Sequence, residues 1–525
     1  MSRNLVVCCD GTGNIWGNNH DTNVVKLVRL LQRNTQQILY YDPGVGTSDT
    51  YPAIGWTNRL KVRANQVLGL ALGGGVYENI GGAYGFLVDH YQPGDRLFFF
   101  GFSRGAFTAR CVAGMVNLFG IVSRGSEQMI PTMTRIYFQP IEGVGVTGKD
   151  RKSYGDDIRA AFAREGQDAR VHFLGVWDTV STVGGLPWSK KNISSSGKIQ
   201  GKSYNHVRHA VALHEYRYPY APRLFSEPCF ENENASLKQY YFAGAHSDVG
   251  GSYDEDGLSD CSLKWMVEEA IAKGLQCDQT LIDKIQPNPL ALAHDQPFRQ
   301  SLWALSGLQT RLLSQIVPKH ESLKARERAL KSTTSPKTEW TPLLRNPRVA
   351  GSAGIVLVML SVLYLLGSWA CLNICDGEFN FAILRSLIEG RGGWDVFSTV
   401  NTERMTLRYT ADLIFIVAYT YMICWLLVYA RRALAERSAS ADVHQFAQWA
   451  GLLPLWTLIG SDVIENLATL YLTSQPAGVR ETHVVLLYGL GFFTGIKLFA
   501  MVALVGYFVW LGANLASHPR LFRYV

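Results

Sequence analysis

The 525-residue chain has little surplus of either charge: 50 basic residues meet 43 acidic ones, and charged residues are only 18% of the total. A nucleic-acid partner is therefore not expected, because its footprint needs lysine and arginine clustered on one face. The small net charge of +7 suits an anionic membrane surface at least as well. Paired Cys-x-x-Cys units are missing among the nine cysteines, at 8, 9, 111, 229, 261, 277, 371, 375 and 424. That excludes ordinary zinc-ligand spacing, and the odd number argues for free thiols in a reducing compartment. The glycines at 11, 13 and 17 miss the G-x-G-x-x-G spacing of a dinucleotide loop. Tandem repeats and low-complexity blocks are absent. No secretory signal opens the sequence, since the apolar run Leu5–Cys9 is short and ends at Asp10-Gly11, so export by the general pathway is not expected.

What is present divides in two. At 525 residues more than one structural unit is expected, and the 47% hydrophobic average hides a boundary between a mixed N-terminal part and a very apolar C-terminal one. Up to about residue 340, short apolar runs alternate with longer mixed segments, the pattern of an α/β fold with a mostly parallel sheet and crossover helices. Leu5–Cys9, Arg96–Phe100, Val171–Trp177 and Gln239–Ala243 are the strand candidates, each followed by Gly, Asp or both. Asn23–Arg33, Gly105–Leu118 and Asn205–Arg217 read as helices.

A polar, basic stretch over 317–347 reads as a linker. The domains are thus 1–340, catalytic with the linker at its end, and 341–525, an α-helical transmembrane domain. Four spans are expected in the latter, Val349–Cys375, Leu413–Ala430, Ala450–Leu472 and Val484–Ala516, each near or above the ~20 residues that cross a bilayer. Asp462, Glu465 and Lys497 inside the last two are costly in lipid, and pairing of Lys497 with the two acids would neutralise them; the competing reading is an ion path. Arginines and lysines flanking the spans favour a cytoplasmic catalytic part.

The chemistry centres on Gly101-Phe-Ser-Arg-Gly105, which follows a strand and opens a helix beginning Ala106-Phe-Thr-Ala109. That is the context of a nucleophile elbow, where glycines remove the Cβ atoms that would collide at the sharp turn. Ser103 then needs a base and an acid to orient the base, in the order Ser, acid, His. Asp178, at the end of Val171–Trp177, and His246, just past Gln239–Ala243, would emerge at the same sheet edge. His214-Glu215 is the reserve pair, and Asp248 an alternative acid that would need an unusual turn so close to His246. Backbone N–H groups of Arg104 and of Gly11 or Thr12 are the expected oxyanion donors. Asp10 as a phosphatase-like nucleophile is another reading of the Asp10-Gly-Thr-Gly-Asn14 loop. The acidic segment 248–256 reads as a solvated loop in preference to a cation site, so neither a metal nor a cofactor is expected.

Six motifs in order, Asp10-Gly-Thr-Gly-Asn14, Tyr41-Asp-Pro-Gly-Val-Gly-Thr47, Gly101-Phe-Ser-Arg-Gly-Ala106, Gly175-Val-Trp-Asp-Thr179, Leu213-His-Glu-Tyr-Arg217 and Gly244-Ala-His-Ser-Asp-Val-Gly-Gly251, carry a resemblance over residues 4–330. The chain resembles the α/β-hydrolase catalytic domain of type VI secretion phospholipase effectors and their relatives. The resemblance implies hydrolysis of a phospholipid acyl ester at a phospholipid membrane, with Ser103, Asp178 and His246 in the triad positions, and admits an inhibitor protein as a partner. The C-terminal half departs from the effectors' usual accessory region, so a resident enzyme of the bacterial inner membrane and a protein delivered into another cell are both compatible. The rival classes are a membrane channel or signalling protein with a degenerate hydrolase domain, and a hydrolase of soluble esters.

Overall fold

A computed structural model describes residues 2–11, 20–44, 74–138, 151–164, 169–180, 204–225, 235–299, most of 301–332, scattered helical positions over 409–428, 441–475 and 484–517. The chain divides into two compact units, Met1–Asp295 with Thr310–Trp340, and Gln296–Gln309 with Thr341–Val525.

The first unit is built on strands β1 (Asn4–Cys9), β2 (Gln37–Asp42), β3 (Arg96–Phe102), β4 (Val171–Trp177), β5 (Tyr204–Ala212) and β6 (Ser236–Phe242), in the order β2-β1-β3-β4-β5-β6. Every neighbouring pair is parallel. Parallel strands need crossovers, and helices α1 (Asn23–Leu30), α2 (Gly74–His90), α3 (Ser103–Phe119), α4 (Ile130–Tyr137), α5 (Arg151–Phe162), α6 (His246–Gly250) and α7 (Gly257–Ile271) are among those described between and after them. The side-chain period of two sends Leu5, Val7, Cys9, Leu97 and Phe99 into one apolar layer with α2 and α3. It sends Val6, Cys8, Phe98, Phe100 and Phe102 into the other, with α1 and α7. Helices on both faces explain why these strands are apolar throughout instead of alternating.

Two expectations are corrected. The segment 205–217 is not a helix: Tyr204–Ala212 is strand β5, paired on both sides. Its polar residues disguised it. Arg208 is buried and ion-paired with Glu269 at 2.5 Å, and His209 accepts from the Thr179 N–H and meets Gln239, so polar side chains sit in a central strand with their partners in place. The basic stretch 317–347 is, at its start, not a linker. Tyr241 and Lys319 form a β-bridge, helix α8 (Glu321–Ser332) follows, and Val317 and Leu323 are buried with Val211 and Tyr241. Arg326 is buried there because its guanidinium donates to the Pro289 and Ala291 carbonyls, both at 2.7 Å.

In the second unit, α9 (Ala441–Ser474) packs on α10 (Val484–Ser517), and Ala304 and Leu308 join a core with Leu427, Leu455, Leu504 and Tyr507. Among the described residues one helical segment, Phe492–Trp510 in α10, is long and apolar enough to cross a membrane. The expected span at 349–375 lies outside the described residues, 413–430 is described only in part, and 450–472 is helical but carries Asp462 and Glu465. Those acids meet Lys497 of α10: Asp462 is ion-paired with it, Glu465 Oε2 lies 3.7 Å from its Nζ, and Tyr419 donates to Asp462 Oδ2 at 2.8 Å.

Candidate active site

The strand-to-helix turn at the end of β3 forces Ser103 into a left-handed backbone conformation, φ 59°. Only a crowded, over-determined turn holds a non-glycine residue there. The crowding is measurable: a Cβ on Gly101 would lie 2.5 Å from the Gly105 carbonyl oxygen, and one on Gly105 2.2 Å from that of Cys9. Substituents at either position would push α3 off the sheet edge. No side chain caps the first turn of α3, and the N–H of Arg104 belongs to that turn, whose donors have no partner within the helix.

Asp178 and His246 come from the ends of β4 and β6. Asp178 also has positive φ, 36°, and is fully buried. Its Oδ2 accepts from His246 Nδ1 at 2.6 Å, and its Oδ1 accepts from the Ala212 N–H at 3.0 Å. His246, the first residue of α6, donates its backbone N–H to Glu215 Oε2 at 3.2 Å. Its ring lies between Phe102, with centroids 4.5 Å apart, and Tyr220, 4.9 Å away. Phe102 immediately precedes Ser103, which sets the imidazole beside the elbow. His246 Nε2 is buried and makes no hydrogen bond, so the contact with Ser103 Oγ is not closed in this state. Catalytic hydrogen bonds commonly tighten only when substrate is bound.

The electrostatics suit an acid–base pair. Burial pushes the Asp178 carboxyl up, but the Arg311 charge and the His246 hydrogen bond outweigh it and hold the group below the usual carboxylate range. Burial pulls His246 below its ordinary value against the opposing pull of Asp178, so the ring is neutral at pH 7 and Nε2 can accept a proton.

The other sequence candidates fall elsewhere. Asp248 accepts from the Ala245 N–H at 2.8 Å and from His294 Nδ1 at 2.7 Å, so it is not the acid that meets His246. His214 Nδ1 accepts from the Gly244 N–H at 2.9 Å and is pulled down to about 4 by burial, while Glu215 is ion-paired with Arg217 at 2.7 Å. The reserve pair is therefore part of the wall behind His246. Asp10 has both oxygens engaged, by the Gly11 N–H at 2.6 Å, Thr22 Oγ1 at 2.8 Å and the Tyr41 hydroxyl at 3.1 Å. That network holds the Asp10 carboxylate and removes Asp10 as a free nucleophile. It also occupies the Gly11 N–H; Thr12 lies outside the described residues. Among the described residues no group of His, Cys, Asp and Glu could hold a metal ion.

Arg311, which sequence reasoning missed, is buried on Asp178, with Nη1 to Oδ1 at 2.6 Å and Nη2 to Oδ2 at 3.0 Å. Nothing local marks it, because 133 residues separate the partners. Tyr220, stacked by Arg217 at 3.7 Å, was also missed.

Comparison with known proteins gives the chain a family. A sequence relative, an uncharacterized protein of Saccharomyces cerevisiae, is 33% identical over 243 residues, which cover 43% of this chain and 34% of that protein. The matched segment thus spans about a third of the relative's length. Among solved structures, an uncharacterized protein from Pseudomonas aeruginosa aligns at TM-score 0.32 and 16% identity over 55% of this chain and 49% of that one. The Tle1 effector bound to the VgrG spike of the type VI secretion system aligns at TM-score 0.26 and 19% identity, over 49% and 52%. The family description that matches, over residues 3–269, is that of the catalytic domain of Tle1-like phospholipase effectors of the type VI secretion system, and the chain belongs to that family.

Proposed function

We propose that the chain is a serine phospholipase in which Ser103, His246 and Asp178 form the catalytic triad. The observation that carries this reading is the buried 2.6 Å bond from His246 Nδ1 to Asp178, which leaves Nε2 uncommitted next to the strained serine turn. Ser103 Oγ attacks the acyl carbonyl while His246 Nε2 takes its proton. The tetrahedral oxyanion is met by the Arg104 N–H; of the two further donors expected, the Gly11 N–H is held by Asp10 and Thr12 lies outside the described residues. His246 then gives the proton to the departing lysophospholipid oxygen, leaving an acyl-serine, and water activated by the same nitrogen releases the fatty acid.

The membrane is the natural location of that substrate, and the apolar stretches after residue 348, with Phe492–Trp510, support an integral anchor holding the enzyme at its lipid. Arginine-rich flanks favour the catalytic unit on the cytoplasmic side of that membrane. Labelling by a fluorophosphonate probe, together with fatty-acid release from phospholipid vesicles by wild type and Ser103→Ala, tests the reading. Equal activity in the variant rules out the serine mechanism.

A further inference from the structure

Arg311 lies beyond the family-matched residues 3–269, yet its side chain is among the most buried cations of the catalytic unit, 2% exposed. Its guanidinium grips both oxygens of Asp178, at 2.6 and 3.0 Å, and donates to the backbone carbonyls of Ala212 and Tyr220. Ala212 ends β5 and returns its own N–H to Asp178 Oδ1. Tyr220 carries the ring that packs against His246. One guanidinium thus ties together the acid, the strand end beside it and the turn that walls the histidine.

We propose that Arg311 is a positioning residue of the catalytic site, a clamp that aims the Asp178 carboxylate at His246 Nδ1 and sets the pH range over which the pair works. The proposal rests on the triad reading above. A carboxylate buried without a counter-charge has two escapes: it takes up a proton, which ends its service as an acceptor, or it holds the neighbouring imidazole protonated, which ends the service of Nε2 as a base. A permanently charged, planar fork on both oxygens closes the first escape and cancels the field that drives the second.

The other charged and titratable groups around the pair do not substitute for it. His246 also faces Glu215 and Arg217, which neutralise each other, and Asp178 also faces His209 of β5, which burial holds neutral, at about 3. Removing the Arg311 charge therefore favours protonated His246, and the pH below which activity fails moves upward.

The test uses the full chain in detergent. For wild type, Arg311→Gln and Arg311→Lys, kcat/KM on a phospholipid is followed against pH. In parallel, the His246 ring is titrated by NMR in a Ser103→Ala background with and without Arg311→Gln. Arg311→Gln is expected to raise the acid limb of kcat/KM and the His246 titration together by about one pH unit or more, with KM little changed. Arg311→Lys keeps the charge but loses the two-point grip, so the limb stays in place while kcat falls about tenfold or more.

An unmoved limb or an unmoved His246 titration in Arg311→Gln overturns the clamp. Should Arg311→Gln not fold, Arg311→Lys decides, and a lysine variant with wild-type kcat overturns it equally. The NMR titration needs no turnover. It judges the clamp even if Ser103→Ala retains hydrolysis, an outcome that would sink the serine reading instead.

Discussion

Both units of this chain bury carboxylates, and they compensate them differently. In the helical unit Lys497 faces Asp462 and Glu465, and Tyr419 adds a hydrogen bond to Asp462. In the catalytic unit Asp178 is held by Arg311 and Ala212, but one contact is given to His246, whose far nitrogen is left without a partner. The first arrangement makes charge tolerable where helices pack. The second stores an unmet hydrogen bond where a substrate could complete it, the kind of exception to polar satisfaction that marks a reactive site.

Substitutions can break that contrast, and the largest effect is expected at the elbow. Ser103→Ala should lower fatty-acid release on the order of 10⁴-fold or more while leaving circular dichroism and melting unchanged. Asp178→Asn should cost roughly 10⁴-fold in kcat, since the amide no longer holds the productive tautomer of His246. It should also lower stability by about 3 kcal/mol, because Arg311 is left buried without its counter-charge; calorimetry of the folded variant reads this directly. Lys497→Met should destabilise by a similar amount, about 3 kcal/mol, yet leave kcat on a soluble ester untouched. A fall in kcat without a fall in melting temperature would show that the Lys497 cluster is more than a packing device.

Gly105→Ala sharpens the same contrast on the steric side. Its methyl would meet the Cys9 carbonyl at 2.2 Å, so a loss of about 3 kcal/mol or failure to fold is expected.

The smallest effect is pH dependence in the wild type. Because His246 is held below its ordinary 6.5, the acid limb of kcat/KM should have its midpoint on the acid side of 6.5, where the ring is protonated. The same depression makes the folded state prefer the neutral ring, so this contribution to stability is also lost on the acid side of 6.5. A profile that bends at or above 6.5 would contradict the buried, clamped environment.

How much of this was legible in the sequence depends on how local the cause is. Strands β1, β3 and β4 announced themselves because a run buried on both faces must be apolar from end to end, whatever lies next to it. The elbow was legible for the same reason: Gly101 and Gly105 are required by contacts with the turn itself and with the neighbouring strand β1. Strand β5 was not, since Asn205, His206, Arg208 and His209 look like a solvated helix until Glu269, Gln239 and Thr179 are placed around them. The basic residues after 317 looked like a tether until Leu323 and Arg326 were seen buried.

By itself, then, the sequence determined where the chain turns sharply and which serine sits on that turn, because strain and small residues are written within a few positions. Between Asp178, which the sequence put at the same sheet edge as His246, and Asp248, the nearer alternative, the choice was decided in three dimensions. Asp248 is two residues away along the chain but is turned to His294 and Ala245, while Asp178, 68 residues earlier, arrives because β4 and β6 end at the same sheet edge. Arg311 was decided there too: a counter-charge is demanded by burial, and burial belongs to the folded state alone.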